Sequence, residues 1–515
     1  MTQGELEKLP LGIQQAFSDL EMRIMTDIVR RLRENGFATD STQWQVSRLQ
    51  QLGASEQEIM EWISETLQLS SEELETIFSD RTYEEYTGHE REYKATDTEQ
   101  IPYEENKALQ QTVEAARQQT QDSFKNLTAS LGFAIADPAT KRITYSPLMD
   151  FYRNTLDDAM MDIQSGAFSY QEVLRRTVNK MTASGLRWID YESGAHNRVD
   201  VAVRRAVLTG FRQVQGKINE QVAAELQTDY YEVTWHGGAR PEHQRWQGKV
   251  YSMSELRSVC GLGSVTGLKG INCYHDYRPF IPGVSTRTYT DDELKEMNAR
   301  ENRKKTYNGK EYTTYEALQQ QRKMETVMRK YRQDIKLLQE GGADEEDVIL
   351  KKARYQGIMQ TYKDFSKKMG LPEQRQRILQ DGLTGSFMPT KAEQKKLAQK
   401  QRDDKIKAEI KTAGMRGEIE LHLEHKIDVS DYSFDDEHIN VERVHKVSRE
   451  DAERFIQESD IAFTKWKGRF VNYYGPNGAV FVDVENKNIR TAFRREEYDS
   501  RVQKMREVLE VNGSS

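Results

Sequence analysis

Cysteine and proline are scarce in this chain, which has 2 cysteines and 10 prolines among 515 residues. Two cysteines cannot build a disulfide framework, and so few thiols are typical of a protein made in a reducing compartment. The few prolines permit long, uninterrupted helices. The sequence also lacks an apolar run that could span a bilayer, and its charged N-terminus lacks the apolar core of a signal peptide. We therefore expect a protein without a membrane span that is made in a cytoplasm.

Apolar residues are few as well. The chain is 36% hydrophobic and 31% charged, and its mean hydropathy is -0.84. This composition does not suit one large compact core, but it suits long amphipathic helices that meet partners along one side. The net charge of -8 argues against a protein coated in positive charge for nonspecific nucleic-acid binding. The length favours roughly two to four domains.

Apolar residues that recur at helical spacing predict helices over most of the chain. The predicted helices cover residues 1–36, 43–52, 55–66, a segment that begins at Ser70, residues 103–129, most of 146–227 and most of 290–412. Ser55 and Ser70 are candidate N-caps. Gly341 and Gly342 end one long helix, and the next is expected to fold back on it as a hairpin. Residues 83–102 are polar and aperiodic, which predicts a linker.

The segment 390–412 is rich in lysine and has almost no apolar face. This pattern favours a solvated helix or a flexible tether. A nucleic-acid contact through its lysines is the alternative, and it would make the protein a salt-sensitive nucleic-acid binder.

The most unusual stretch runs from Val233 to Val284 and combines many glycines and prolines with aromatic residues, histidines and both cysteines. Its glycines and prolines would break a helix repeatedly, so we predict a loop-rich module with short strands near residues 230–235 and 249–251. Compact segments of this kind often hold functional side chains in a fixed geometry.

Four side chains in this module, His243, Cys260, Cys273 and His275, are of types that bind zinc. No CxxC pair is present, and the simpler interpretation is that the histidines bond backbone groups while Cys273 packs as a small apolar residue. A third interpretation makes Cys273 a nucleophile with His243 as its base. We predict no cofactor from the sequence and keep zinc as the alternative.

Several parts of this module resemble the phage minor capsid proteins related to the head-morphogenesis protein F of phage Mu. The similar residues are found in VTWHGGARPEHQ (233–244), WQGKVY (246–251), GINCYH (270–275) and PFIPG (279–283). The positions that carry the motif are Trp235, His243, Trp246, Gly248, Asn272, Cys273 and His275. The resemblance covers roughly residues 1–370 and implies a protein of a phage or prophage virion. It further implies a place in the head near the portal vertex, a role in head morphogenesis with portal and head proteins as partners, and injection with the viral DNA in some members.

The last hundred residues differ from the rest of the chain because short strand-like segments replace the long helical patterns. A predicted helix over 439–458 precedes four short strand-like segments within 462–493, and a helix over 496–509 follows them. Helix and antiparallel meander together predict a small α+β domain. This region resembles the nuclease domains of the barnase–EndoU–colicin–RelE type that are fused behind such phage proteins.

That resemblance implies RNA as a partner and a metal-independent ribonuclease, which needs a base, a cation and an acid. His445 is the candidate base, with His438 as the alternative. Lys465, Lys467 or Arg469 would supply the cation, while Arg490 and Thr491, with Tyr473 or Tyr474, would bind phosphate or donate a proton. Ordinary structural roles for all of these residues are the alternative, because the segment also carries many acidic residues.

Taken together, the sequence predicts a mainly α protein with a loop-rich central module and a C-terminal α+β domain. We expect an N-terminal helical region over 1–95, a minor capsid core over 103–290 with its module at 230–285, a helical hairpin and charged tether over 291–412, and the nuclease-like domain over 415–515.

Overall fold

A computed structural model describes residues 1, 3–35, 41–136, 140, 142–190 and 192–513, without the side chains of residues 35, 41–54 and 513. The chain divides into two compact units, Met1–Pro389 and Thr390–Ser515. The first unit is mainly helical and the second combines helices with a sheet, so the predicted fold class is confirmed. Within the described residues, none of the helices combines the length and the apolar character that crossing a membrane requires.

Five helices open the first unit. They are α1 (Gln3–Lys8), α2 (Leu11–Asn35), α3 (Ser41–Thr87), α4 (Glu90–Ala95) and α5 (Lys107–Ala129). The single helix predicted over 1–36 is divided before Leu11, next to Pro10. Its predicted end at Gly36 lies outside the described residues. The face of α2 that bears Ile13, Phe17 and Ile24 is fully buried, as the helical spacing predicts.

Two predictions about residues 41–102 are wrong. The separate short helices predicted there are one continuous helix, α3. Ser55 and Ser70 are not caps but are fully buried within it, and the Ser55 hydroxyl lies 3.0 Å from the Tyr152 hydroxyl. The predicted linker contains the end of α3 and all of α4, because Tyr86, His89 and Tyr93 follow one another at a spacing of three and four residues and bury one face.

A small sheet and three helices follow. They are β1 (Leu131–Ala136), β2 (Ile143–Pro147), α6 (Leu148–Gln164), α7 (Tyr170–Ser184), β3 (Arg187–Ile189), β4 (His196–Arg198) and α8 (Val199–Glu225). The helices match the prediction, but the antiparallel sheet of order β2-β1-β3-β4 was not predicted. The helix break predicted at Asp137–Pro138 lies outside the described residues. Helix α8 contributes the buried Phe211, whose ring packs edge-on against Phe78 of α3.

The central module is a three-stranded antiparallel sheet with two short helices. Its elements are β5 (Tyr230–Val233), α9 (Pro241–Gln244), β6 (Val250–Ser252), α10 (Met253–Ser258) and β7 (Tyr277–Phe280), with strand order β6-β5-β7. The module packs on the end of α8, where Ala223 joins its apolar cluster and the Asn219 amide donates to the Tyr277 carbonyl over 2.6 Å. A continuous helix therefore supports the loops of the module.

The first unit ends with α11 (Asp291–Asn302), the hairpin of β8 (Lys305–Tyr307) and β9 (Lys310–Tyr312), α12 (Thr314–Glu340), α13 (Glu345–Met369) and α14 (Arg375–Leu379). Helices α12 and α13 pack against each other, and Gly341 is the C-cap residue of α12. The buried carboxylate of Asp334 on α12 pairs with Lys330 of the same helix at 3.0 Å and with Lys351 of α13 at 2.6 Å, and the second pair joins the two helices.

The second unit wraps helices around one sheet. It contains α15 (Lys391–Thr412), β10 (Glu418–Leu421), β11 (Ser433–Phe434), a π-helical turn (Glu437–Glu442), α16 (Arg449–Glu458), β12 (Ile461–Lys465), β13 (Phe470–Tyr474), β14 (Gly478–Asp483), β15 (Asn488–Arg494) and α17 (Ser500–Gly513). The strand order is β10-β12-β13-β14-β15-β11. The four predicted strands form the antiparallel meander, and β10 and the parallel β11 extend its two edges.

Two elements of this unit differ from the prediction. The helix predicted over 439–458 is divided, so that His445 lies in a loop between the π-helical turn and α16 rather than on a helix. Helix α15 is not solvated all round: Ile406 and Ile410 are buried in a cluster with Val502 and Met505 of α17. Two isoleucines one turn apart are enough to attach an otherwise charged helix to a sheet domain.

Candidate functional site

Three predicted motif residues meet in the central module. His243 on α9, and Cys273 and His275 before β7, are 2%, 2% and 3% exposed. One ligand-type atom from each lies within 4.8 Å of those of the other two. Cys273 Sγ is 3.4 Å from Nδ1 of His275. His243 precedes Cys273 by 30 positions in the sequence, and the pairing of β5 with β7 brings the two parts of the module together.

Hydrogen bonds define which nitrogen of each imidazole carries the proton. His243 Nε2 lies 2.8 Å from the Thr266 carbonyl, which can only accept, so Nε2 is protonated and Nδ1 keeps its lone pair. His275 Nε2 lies 2.8 Å from Gln247 Oε1. The backbone N–H of His236 also donates to that oxygen, which identifies it as an acceptor. His275 therefore has its Nδ1 lone pair directed at Cys273.

Further hydrogen bonds hold Gln247 in place, and most of the residues that make them were not identified from the sequence. Gln247 donates from Nε2 to Asn298 Oδ1 over 2.9 Å, and Trp235 Nε1 donates to the same oxygen over 3.1 Å. Asn298 lies on α11, more than 20 residues beyond the motif. The only local signal was the Trp246-Gln247-Gly248 triplet, in which the sequence singled out the aromatic residue and the glycine rather than the glutamine.

The remaining motif residues shape the backbone and the walls of the site. The Trp246 ring lies 4.7 Å from that of His275 and 4.6 Å from that of His243. Gly248 has φ 73°, and a Cβ there would meet Leu294 Cδ2 at 2.3 Å, so a side chain does not fit. Asn272 has φ 56°, a left-handed conformation that asparagine tolerates, and it turns the chain into Cys273.

All three candidate ligands line one small cavity of about 120 Å³, together with His236, Arg240 and Asn272. Burial lowers the pKa of His243. Burial, followed by the neighbouring His236 and His243, holds the pKa of His275 well below its ordinary value. Both imidazoles are therefore neutral at pH 7 and offer lone pairs rather than charges.

The second cysteine lies apart from this cavity. Cys260 is buried in the apolar cluster behind it, with Leu256 and Leu268, and burial raises its pKa to about 12. Burial also raises the pKa of the Cys273 thiol. A nucleophile has to be a thiolate that a substrate can reach, so this burial does not favour a Cys273 nucleophile.

The candidate site in the second unit centres on the loop that carries His445. Its Nδ1 lies 2.6 Å from Glu497 Oε2, and because a carboxylate only accepts, Nδ1 carries a proton and donates it. Glu497 is itself held, since its Oε1 accepts from the Arg494 N–H over 3.2 Å. Sequence reasoning did not identify Glu497, which lies 52 residues from His445.

The backbone around His445 is strained and clamped. Val444 and Lys446 have φ of 57° and 53°, an uncommon conformation for a β-branched residue such as valine. Both ends of the loop are tied, because Asn440 bonds the N–H and the carbonyl of Val447 at 2.9 Å each. Strain of this kind, next to a π-helical turn, is frequent at functional sites.

The other predicted residues of this site fall into two places along the sheet. Lys467 is exposed in the turn before β13, and Arg490 lies over the Phe470 ring at the same end. His445 packs against Phe493 near the other end, where Tyr474 is also found. Tyr474 is only 5% exposed, and burial raises its pKa. Thr491 is half-buried in the middle of β15, opposite Phe481.

His445 therefore has a different cation beside it from the ones that the sequence suggested. The Arg494 guanidinium donates to the Lys446 carbonyl over 3.3 Å and to Asp451 over 2.6 Å. His438, the alternative base, bonds Glu442 one turn away on the π-helical turn. His445, Glu497 and Arg494 are the residues that the fold brings together.

Comparison with protein families gives a match to the phage minor capsid protein 2 family over residues 1–366. Comparison with curated proteins and with solved structures gives no match. The match includes the helical body and the entire central module, and it ends before the second unit begins at Thr390. The resemblance to nuclease domains has no support from these comparisons. Over about the first seven-tenths of its length, the chain belongs to the phage minor capsid protein 2 family and is a structural protein of a phage virion.

Proposed function

We propose that this protein is a minor head component that binds the portal and neighbouring head proteins near the portal vertex. The observation that carries the proposal is the family match over residues 1–366, which spans almost the entire first unit. A head component of this kind acts through contacts with other chains, and ligands or partners that bind the folded state also stabilise it. In this proposal the protein also leaves the particle with the DNA.

An exposed apolar surface on the central module fits a partner of this kind. Val259, Val265 and Ile271 are 46%, 67% and 42% exposed. Val265 and Ile271 also line a groove of about 670 Å³ between this loop, α5 and α8. Exposed apolar side chains that gather in one place are typical of protein–protein contacts.

The test uses a phage that encodes this chain. Cross-linking and quantitative mass spectrometry of purified particles, before and after DNA ejection, should show cross-links to the portal protein, a low copy number, and loss of the protein with the DNA. Val265→Asp should reduce incorporation several-fold or more. Met161→Asp, an equally drastic change at a residue that is 70% exposed, is the matched control. Particles in which the protein contacts only the major shell would contradict the portal proposal.

A second candidate function belongs to the second unit, and the geometry around His445 favours it. In this proposal Nε2 of His445 takes the proton of a ribose 2′-hydroxyl, whose oxygen attacks the adjacent phosphorus, and Glu497 stabilises the imidazolium that forms. The bond from phosphorus to the 5′-oxygen breaks, that oxygen takes a proton from solvent water, and Arg494 stabilises the charge on phosphate. The short His445–Glu497 contact and the strained loop support these roles. Lys467, Arg490 and Thr491 would bind more distant parts of the RNA.

Full-length protein incubated with RNA in EDTA tests this activity. His445→Ala should lower the cleavage rate by about 10²–10⁴-fold, the usual contribution of a general base. His422→Ala, which removes an exposed histidine that pairs with Asp403, should cleave normally. An RNA with a single 2′-deoxy position should resist cleavage at that position. RNA that stays intact with the wild-type protein, or cleavage that His445→Ala retains, would contradict a ribonuclease of this mechanism.

A further inference from the structure

We propose that His243, Cys273 and His275 bind one zinc ion, with a water molecule from the adjoining cavity as the fourth ligand. The proposal concerns the central module alone and is independent of the proposed function. It rests on the residue types, their separation, the hydrogen bonds on their far sides and the cavity they share.

The separation of the ligand atoms fits a tetrahedral ion. Zinc–sulfur and zinc–nitrogen bonds of about 2.3 and 2.1 Å at a tetrahedral angle place sulfur and nitrogen about 3.6 Å apart. Cys273 Sγ and His275 Nδ1 are 3.4 Å apart. The ligand atom of His243 completes a set in which no pair exceeds 4.8 Å, so a small rotation of its ring would close the site.

The far side of each imidazole already has the bond that metal-ligating histidines usually make. Such a histidine donates its other N–H to an oxygen, which fixes the tautomer and aims the lone pair at the metal. His243 donates to the Thr266 carbonyl and His275 to Gln247 Oε1, both over 2.8 Å. Gln247 is held by Asn298 in turn. Two neighbouring histidines with the same tautomer, each with an unprotonated Nδ1, are a more specific feature than their proximity alone.

The donor set selects zinc among the common divalent cations. One thiolate and two imidazoles are poor ligands for magnesium and calcium, which prefer oxygen, but they are usual ligands for zinc. The cavity that all three residues line also contains Arg240 and Asn272, so it is polar enough for a bound water. The ion would tie α9 to the loop before β7.

Metal content of the full-length protein is the decisive measurement. The protein, purified without a metal-binding tag, is equilibrated with zinc chloride, freed of unbound ion by gel filtration and analysed by inductively coupled plasma mass spectrometry. We expect close to one zinc per chain. X-ray absorption at the zinc edge should show one sulfur at about 2.3 Å and three nitrogen or oxygen neighbours at about 2.0–2.1 Å.

Two cysteine variants provide the matched comparison. Cys273→Ser should lower the zinc content at least tenfold, whereas Cys260→Ser should retain it. The two cysteines are equally buried, at 2% and 1%, and lie in the same apolar cluster. If Cys273→Ser does not fold, cobalt substitution of the wild type and of Cys260→Ser still decides the matter, because both should show a thiolate-to-cobalt charge-transfer band. A zinc-free wild type, an absorption spectrum without sulfur, or a band lost in Cys260→Ser would overturn the proposal.

Discussion

At the scale of single residues, the surroundings of a buried polar group decide its protonation state, and His89 is an example. His89 is fully buried between α3 and α4, and within the described part of the chain neither of its ring nitrogens has a hydrogen-bond partner. Burial lowers its pKa, and the positive charge of Arg278 lowers it further. The carboxylates that act in the opposite direction are Glu92, Glu85 and Asp276. His89 is therefore a neutral imidazole at pH 7 that resists protonation.

His89 should make the stability of the first unit depend on pH. Because its pKa is lower in the folded protein, the unfolded chain takes up the proton first, so stability is highest above about pH 6.5 and declines as the pH falls toward the folded-state pKa. The slope that this one group adds is up to about 1.4 kcal/mol per pH unit. Urea denaturation of the wild type and of His89→Gln between pH 8 and 5 should show a shallower decline for the variant. Parallel curves would refute this role of His89.

The motif residues of the two candidate sites could be identified from the sequence, but most of their hydrogen-bond partners could not. Trp235, His243, Trp246, Gly248, Asn272, Cys273 and His275 were identified through the resemblance to phage minor capsid proteins, and all of them lie in the central module. Their partners Thr266, Gln247 and Asn298 were not, because a hydrogen-bond acceptor leaves no mark in a sequence. Glu497 was missed beside His445 for the same reason.

At the scale of elements, the helices are the most predictable feature and their ends the least. The hydrophobic period follows from side chains on one face, so α2, α5, α8, α12 and α13 could be predicted from the sequence. Helix α3 could not, because the serines that look like caps are buried by neighbouring helices. Strands β3 and β4 have only three residues each, and burial does not alternate along β1 or β2, so none of the four shows a period of two.

Two glycines of the helical hairpin allow a sharp test at this scale. Gly341 ends α12, and a Cβ there would lie 2.6 Å from Cδ1 of the buried Leu174. Gly357 lies within α13 with nothing within 4 Å of the same position. Gly341→Ala should therefore destabilise the first unit by about 1–3 kcal/mol through overpacking. Gly357→Ala should stabilise it by about 0.5–1 kcal/mol, because alanine loses less backbone entropy in a helix.

Urea denaturation of the two variants and the wild type measures both effects. The substitution is the same in each case, so helix propensity alone predicts the same sign. If both substitutions stabilise the first unit, Leu174 moves aside without cost and the close contact at Gly341 does not limit the hairpin.

At the scale of the whole molecule, the division into two units should be visible in unfolding. Asp334 is completely buried against Lys330 and Lys351, and removing one partner of a buried ion pair costs about 3–5 kcal/mol. Ile410 is completely buried in the second unit, where truncation to alanine costs about 2–5 kcal/mol. We expect two calorimetric transitions. Asp334→Asn should lower the midpoint temperature of the first unit's transition only, and Ile410→Ala should lower that of the second unit's transition only.

Tryptophan fluorescence can assign the transitions. Of the six tryptophans, only Trp466 lies in the second unit, and it is 78% exposed. In a Trp466→Phe background, the remaining fluorescence reports the first unit and should respond to Asp334→Asn but not to Ile410→Ala. One transition that both variants shift together would show that the units unfold as one.

The sequence by itself determined the helical character of this protein, the position of its loop-rich module, the antiparallel meander near its end and its membership among phage minor capsid proteins. Each of these depends on a local pattern of apolar residues, glycines or motif letters. Only the tertiary structure decided that Cys273 meets His243 and His275 while Cys260 does not, and that His445 meets Glu497 and Arg494 rather than Lys467 and Arg490. Contacts between residues that are distant in the sequence depend on strand pairing and on the paths of loops. The periodicity of apolar residues carries no information about either.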